Sequence, residues 1–260
     1  MFRSVPSPVR YPRDCADIQL YSFGHTSGVY QVYRPGCLNP DACAINITCD
    51  LNTDGGGWTV LQQRLDSSTE FDRTWAAYRN GFGDNRNFWI GNEYLHEITS
   101  TIRDREYSLL IQLTDFADKS SFAMYEKFTV ESEVDDYRLR LGTLFSTHAV
   151  DNMASSRDQP FGTFDVDTDS IVGQTCGSRW HAGWWYETRS CARNIGNLNS
   201  PYAENGGVEW LTDKGTVRVR SCQMKMRPVN FVPRVKYSLS LRQNRTEPDS
   251  DDVAPRALNP

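Results

Sequence analysis

Runs of alternating polarity on either side of one helical region predict a mixed helix-and-strand fold for this 260-residue chain. Three observations carry that prediction. Apolar residues recur at every second position in several short segments, the mark of half-buried strands. Helical spacing is confined to about residues 70–102. From Gly142 to Gly207 no long element is detectable, and Gly, Asp, Asn and Ser dominate. So long a stretch without regular structure is unusual in a compact domain and tends to be functional. The chain is long enough to bury a sizeable core, as one large domain or two small ones.

The elements follow in order. Residues 1–13 hold three prolines and no periodicity, a flexible lead-in. Residues 14–60 read as short strands and turns: Gly28–Tyr33 alternates, and so does Ala44–Cys49. Asp54-Gly55-Gly56-Gly57 is a sharp turn into a strand at Trp58–Leu61. Phe71, Trp75 and Tyr78 share one face of a helix that stops at Gly81-Phe82-Gly83. A second helix starts near Gly91-Asn92, with Leu95, Ile98 and Ile102 as its apolar stripe, and these aromatics and aliphatics are expected to be core. Strands resume at Tyr107–Leu113, Ala123–Val130 and Tyr137–Leu141. Val217–Arg220 and Gln223–Met226 make a final alternating strand, Val and Met inward, Arg and Lys outward. Residues 232–260, with four prolines and the acidic Glu247–Asp252 patch, are expected to be a disordered tail.

Composition excludes several functions. The net charge is −5, but residues 14–231 alone carry 20 basic and 29 acidic groups, a net −9. An acidic body without a basic stripe argues against nucleic acid, which demands phosphate neutralisation, and against docking on anionic lipid. No apolar run reaches the ~18 residues of a membrane span. The amino terminus lacks an apolar h-region, so any signal peptide was removed or the sequence is a fragment. There is no heptad run to build a coiled-coil oligomer. Seven cysteines without a C-x-x-C pair read as a disulfide framework rather than a zinc site. Cys37 and Cys43 flank a turn tight enough for a local bridge. The sequons at Asn46 and Asn244, with the cysteines, favour a secreted, extracellular setting and a glycoprotein. His25, His96, His148 and His181 lie scattered, without a nucleophile motif, so no catalysis is expected.

The stretch Phe161–Cys191 is the expected working part. Asp165, Asp167 and Asp169 stand on alternate residues, and carboxylates so close repel unless a cation neutralises them. Hard oxygen donors suit Ca²⁺, which takes six to eight oxygens at roughly 2.3–2.6 Å. The loop is not an EF-hand, since Ser170 and Cys176 stand where that motif needs Gly and Glu. Backbone carbonyls, with Ile171 and Gly173 continuing the spacing, would complete the set. A solvated Asx-rich turn is the alternative reading. Trp180, Trp184, Trp185 and Tyr186 follow, between Cys176 and Cys191.

Several motifs together resemble the fibrinogen-like C-terminal domain. They are Pro12-Arg13-Asp14-Cys15-Ala16-Asp17, Ser27–Tyr30, Cys49–Val60, Phe71-x-Arg73-x-Trp75-x-x-Tyr78-x-x-Gly81-Phe82-Gly83 and Phe88–Asn92. To these add Asp165-x-Asp167-x-Asp169, Trp184-Trp185-Tyr186, Asn197-Leu198-Asn199 and Met224–Pro228, in the family's order over about residues 12–231.

The resemblance implies an α+β fold of three subdomains within residues 14–231: a small disulfide-closed amino-terminal part, a central twisted sheet with helices, and a loop-rich calcium- and ligand-binding part. It implies disulfides Cys15–Cys49 and Cys176–Cys191, with Cys37–Cys43 an extra and Cys222 a free thiol on the last strand. It places Ca²⁺ on the Asp167 and Asp169 side chains and the Ile171 and Gly173 carbonyls, with Asp165 nearby but not a ligand. The ion's role would be structural. In lectin members (ficolins, tachylectins) a pocket captures an acetyl group through a backbone N–H presented by a cis peptide. Here that bond would be Ser190–Cys191, beside Ala192, with Trp180 as one wall and Tyr202-Ala203 as floor and opposite wall. Three departures stand out. The Tyr186–Cys191 segment is about two residues longer than usual, Ala192 replaces a frequent His, and the loop around Tyr202 differs in length.

The function this implies is a secreted, lectin-like module binding N-acetylated glycans such as GlcNAc or chitin-like microbial sugars in innate immune pattern recognition. A single sugar would bind weakly, so avidity would need a homo-oligomer. The other reading is a protein-binding module of the tenascin, angiopoietin or fibrinogen kind, docking a receptor or matrix partner.

Overall fold

A computed structural model describes residues 11–21, 26–35, 39–100, 105–146, 150–191, 196–202 and 208–233. The expectations on His25, Cys37, Ile102, His148, Ala192, Ala203, Asn244 and all but the first two residues of the tail fall outside them.

The chain opens with a helix where strands and turns are expected. Helix α1 (Cys15–Tyr21) forms because Asp14 caps it, its carboxylate accepting from the Asp17 N–H at 2.8 Å. Asp14 and Asp17 are both buried, and Arg105 bridges them at 2.8 and 2.9 Å while the Tyr107 hydroxyl donates to Asp14. Paired in this way the two carboxylates tolerate burial. Strands β1 (Gly28–Tyr33) and β2 (Ala44–Asp50) pair antiparallel, with helix α2 (Pro40–Cys43) in their connection. A Cys15–Cys49 disulfide closes this amino-terminal part, Cys43 is also disulfide-bonded, and Cys222 is free and buried.

Strand β3 (Trp58–Arg64) is buried at every position. Helix α3 (Trp75–Asn80) starts at Thr74, whose hydroxyl accepts from Ala77 N–H, and ends at Gly81 with φ +88°. A Cβ there would meet the Ile90 carbonyl oxygen at 2.7 Å, so the stop requires glycine on both counts. Phe71 lies ahead of the helix rather than in it. It lies outside any regular element, and its carbonyl accepts from the Tyr78 hydroxyl at 2.7 Å. The short strands β4 (Phe82–Gly83) and β5 (Phe88–Trp89) precede helix α4 (Asn92–Ser100), which turns Tyr94, Leu95 and Ile98 inward.

Strands β6 (Tyr107–Asp115) and β7 (Ser120–Tyr125) form a hairpin. The expected strand Ala123–Val130 is two strands. The chain turns at Glu126-Lys127, and β8 (Phe128–Val130) pairs with β9 (Leu139–Leu141) in a separate two-stranded sheet. Within the irregular region lie β10 (Leu144–Ser146) and helix α5 (Cys176–Trp180); β11 (Val208–Thr212) follows it. The last strand, β12 (Gly215–Pro228), enters between β3 and β6 and is antiparallel to both. Among the described residues the main sheet has ten strands, with β1-β2-β3-β12-β6-β7-β10 as its path. Lys225 is not outward. The β12–β3 register shifts between Met224 and Lys225, and the buried ammonium meets Asp50 at 2.6 Å and Gln112 at 2.8 Å.

One apolar core joins the sheet to the loop-rich part. Tyr78, Trp89, Phe161 and Trp185 are joined by ring contacts, tilted or edge-to-face, with centroids 5.1–6.0 Å apart. The indole N–H groups of Trp89, Trp184 and Trp185 each find an acceptor, in Asn92, Ser156 and the Tyr137 carbonyl. Trp184, Trp185 and Tyr186, expected in the working stretch, are therefore part of this core, and of that cluster Trp180 alone is only partly buried.

Candidate functional site

The aspartate loop hangs between two fixed points. At one end Gly162 and Trp184 exchange backbone hydrogen bonds at 2.9 and 3.1 Å, with Phe161 sunk in the core. At the other, Thr175 caps α5 by accepting from Ser178 N–H, and Cys176 is bonded to Cys191. Gly177 presses so closely on Thr163 that an added Cβ would lie 2.2 Å from its carbonyl carbon. Any larger residue would push α5 off the loop.

The three aspartates are not equivalent. Asp165 accepts from Thr163 Oγ1 at 2.8 Å and from Trp75 N–H at 2.9 Å, tying the loop to the first turn of α3. Asp169 accepts from Ile171 N–H at 2.9 Å and Cys176 N–H at 2.7 Å, folding the loop back on the helix start. Asp167 takes only the Asp169 N–H, at 3.1 Å, through Oδ1. Among the described residues no basic side chain pairs with Asp167 or Asp169. None donates to the Ile171 or Gly173 carbonyls. Among the described residues, Asp165 Oδ2, Asp167 Oδ2 and the Ile171 and Gly173 carbonyls accept no hydrogen bond, and all are hard oxygens of the kind Ca²⁺ takes. The residues fit the ion. Asp169 also lies near both bridged sulfurs, which as a disulfide are not thiolate ligands.

Four of the expected pocket residues are described: Trp180, Ser190, Cys191 and Tyr202. Trp180 leans on the disulfide loop, its Nε1–H donating to the Cys191 carbonyl at 3.0 Å. The Ser190–Cys191 bond is not cis, for every peptide among the described residues is trans. A cis bond there would cost ~3–4 kcal/mol. The long Tyr186–Cys191 segment closes without it, through a turn in which Ser190 N–H donates to the Glu187 carbonyl at 3.3 Å. Tyr202 lines a cleft of about 520 Å³ with Arg64, Phe71, Asp72 and His181. His181, with φ +51° at the end of α5, is the residue linking this cleft to Trp180, and its Nδ1 lies 3.0 Å from Asp72 Oδ2.

Arg64, Phe71 and Asp72 were not among the expected site residues. The guanidinium of Arg64 lies between the rings of Phe71 (4.4 Å) and Tyr202 (4.5 Å), and its Nη1 donates to the carbonyls of Leu198 and Ser200. Burial pulls its proton affinity below the ordinary arginine range. The same burial raises the nearby Cys222 thiol to about 11 and the Tyr202 phenol to about 12. The signal that could have found this cleft is Gln62-Gln63-Arg64, a polar run closing an otherwise apolar central strand. The other described histidine, His96, is spent on the Val130 carbonyl and Ser100.

Known proteins share this architecture. Residues 11–229 match the family profile described as fibrinogen beta and gamma chains, C-terminal globular domain. Human ficolin-3 is 39% identical over 78% of this chain and 66% of its own length. Human tenascin-R is 37% identical over 85% of this chain, which spans only 16% of that protein. Among solved structures, the fibrinogen-like globe domain of human ANGPTL2 superposes with a TM-score of 0.72 at 32% identity, covering 84% of this chain and 99% of that one. The corresponding domain of human ANGPTL6 gives 0.71 at the same identity.

Proposed function

The chain belongs to the family of fibrinogen C-terminal globular domains, and from that premise we propose that it is an extracellular, non-enzymatic recognition module. Its ligands are N-acetylated glycans, GlcNAc or chitin-like microbial sugars, read in innate immune defence. The observation that carries this reading is Trp180. Of the tryptophans and the tyrosine between Cys176 and Cys191, it alone keeps part of its ring outside the core, and its indole is pinned to the carbonyl of the bridged Cys191. A fixed aromatic face beside a disulfide-held backbone suits a small apolar group with one polar neighbour, such as acetamide. Similarity to ficolin-3 over most of the chain supports it.

Ca²⁺ is the structural partner of this site. Asp167, Asp169 and the Ile171 and Gly173 carbonyls hold it, and bound there it supplies charge neutralisation that stiffens the loop. The chain's own residues do the rest: Asp165 fastens the loop to α3, Asp169 draws it onto α5, and α5 carries Trp180. Metal affinity is thereby loop-ordering free energy.

A second reading has its own support. Tenascin-R matches nearly as well as ficolin-3 and over more of the chain, which favours a protein receptor or matrix partner docking on the same end of the domain. A glycan array run with and without EDTA separates the two. Acetyl-selective, chelator-sensitive spots support the first reading, and a blank array refutes it in favour of the second.

A further inference from the structure

Two residues lining the cleft beside Tyr202 each carry a buried polar atom without a partner, and the two are of opposite sign: Arg64 Nε and Asp72 Oδ1. Arg64 is 2% exposed, and among the described residues no carboxylate pairs with it. A guanidinium so placed carries the cost of leaving water without a counter-charge to offset it. The Leu198 and Ser200 carbonyls occupy one nitrogen of its fork and hold it in place, and they leave the Nε side unused. Asp72 Oδ2 is committed to His181, whereas Oδ1 lacks a donor.

We propose that this cleft binds the carboxylate of an acidic sugar of the uronic acid class. The carboxylate accepts from Arg64 and a ring hydroxyl donates to Asp72 Oδ1. Each orphaned atom then gains the partner its chemistry requires, and the desolvated cation is neutralised where the surroundings screen it least. A volume of about 520 Å³ lies within the usual range for one small ligand. Sign and number of charges select the class. A neutral sugar leaves Arg64 uncompensated, and a dianionic phosphate would be repelled more strongly than a monoanion by Asp72 and Glu70, which both line the cleft. A monovalent carboxylate with hydroxyl donors matches both groups. The proposal does not rest on acetamide recognition at Trp180.

The test titrates the full chain with D-glucuronate, its uncharged methyl ester and N-acetylglucosamine, by calorimetry. Glucuronate is expected to bind about tenfold or more tightly than the ester, the scale of one charge-assisted hydrogen bond. Ser67→Trp fills the cleft from an exposed rim position. It should abolish glucuronate binding while leaving the melting temperature unchanged. Arg64→Lys keeps the charge but loses the fork, and should weaken glucuronate at least severalfold. The proposal is overturned if glucuronate and its ester bind alike, if neither binds, or if Ser67→Trp binds glucuronate as the wild type does. Failure of N-acetylglucosamine to bind bears on the acetyl reading alone.

Discussion

Replacing Asp167 with alanine separates metal binding from loop packing, because this carboxylate makes one long hydrogen bond to the protein, to Asp169 N–H at 3.1 Å, and is exposed. In EDTA, Asp167→Ala should therefore melt within about 0.5 kcal/mol of wild type, the usual range for a surface change. In calcium the two should part. At free Ca²⁺ a hundredfold above its dissociation constant, binding stabilises wild type by about 2.7 kcal/mol. For a domain of this size each kcal/mol shifts the midpoint by ~2–4 °C, so the wild-type gain is roughly 5–11 °C. Asp167→Ala should gain little of it. Differential scanning fluorimetry of both proteins in EDTA and in a calcium series reads all four values. Asp169→Ala serves as the contrasting control. It loses the acceptors of Ile171 N–H and Cys176 N–H, and should fall by about 2 kcal/mol even without metal. If wild type melts at the same temperature in calcium and EDTA, the loop does not hold the ion and the reasoning fails.

Other expectations follow from single side chains. Lys225→Ala leaves Asp50 without its buried partner and should cost about 3 kcal/mol in urea, part of it recovered in the Lys225→Ala/Asp50→Ala double variant. Hydrogen bonds from Lys225 and Thr53 outweigh burial and hold the Asp50 carboxyl well below its ordinary range. The folded state thus binds that proton less tightly than the unfolded one, and the stability it contributes is complete above about pH 4 and is lost as pH falls further. Acid unfolding of Asp50→Asn should accordingly be shallower than that of wild type. The Cys222 thiol, raised to about 11 and buried, should not react with a thiol reagent at pH 8 until denaturant is added, and rapid labelling of the native protein would contradict its placement. Trp180→Ala should lower stability by about 1–2 kcal/mol yet remove acetyl-selective binding, so retained binding would move the site away from the disulfide loop.

How much was legible depended on what kind of signal each residue carries. Strand β1 is readable to the residue because one face of it is wet and polarity alternates. Strand β3, buried on both faces, shows an apolar start and then Gln62-Gln63-Arg64, whose polar groups, Arg64 Nε excepted, meet Asn199, Asn85 and the Leu198 and Ser200 carbonyls inside. Pattern alone cannot separate such an interior polar end from a solvated one. Helix α1 escaped because seven residues barely define a period, although its Asp14 cap was in plain view. The aspartate loop was legible from charge repulsion between neighbours in sequence. The Arg64 cleft was not, because its members come from residues more than a hundred positions apart (Arg64, His181, Tyr202), and local pattern says nothing of such meetings. The Trp184-Trp185-Tyr186 run illustrates the opposite case, an aromatic cluster beside the aspartate loop that is buried and supplies its foundation rather than its surface.

The position of β12 has a bearing on how this protein is made. Residues 215–228 form the only bridge between the β3 side and the β6 side of the main sheet among the described residues, so a polypeptide emerging from the ribosome carries two facing, unzipped edges until residue 228 has been made and released. Pairing that late is slow, and bare edges invite association with other nascent copies. Production should consequently be most vulnerable to lesions near this terminal strand, and a stop codon before Gly215 should yield insoluble material rather than a smaller working domain.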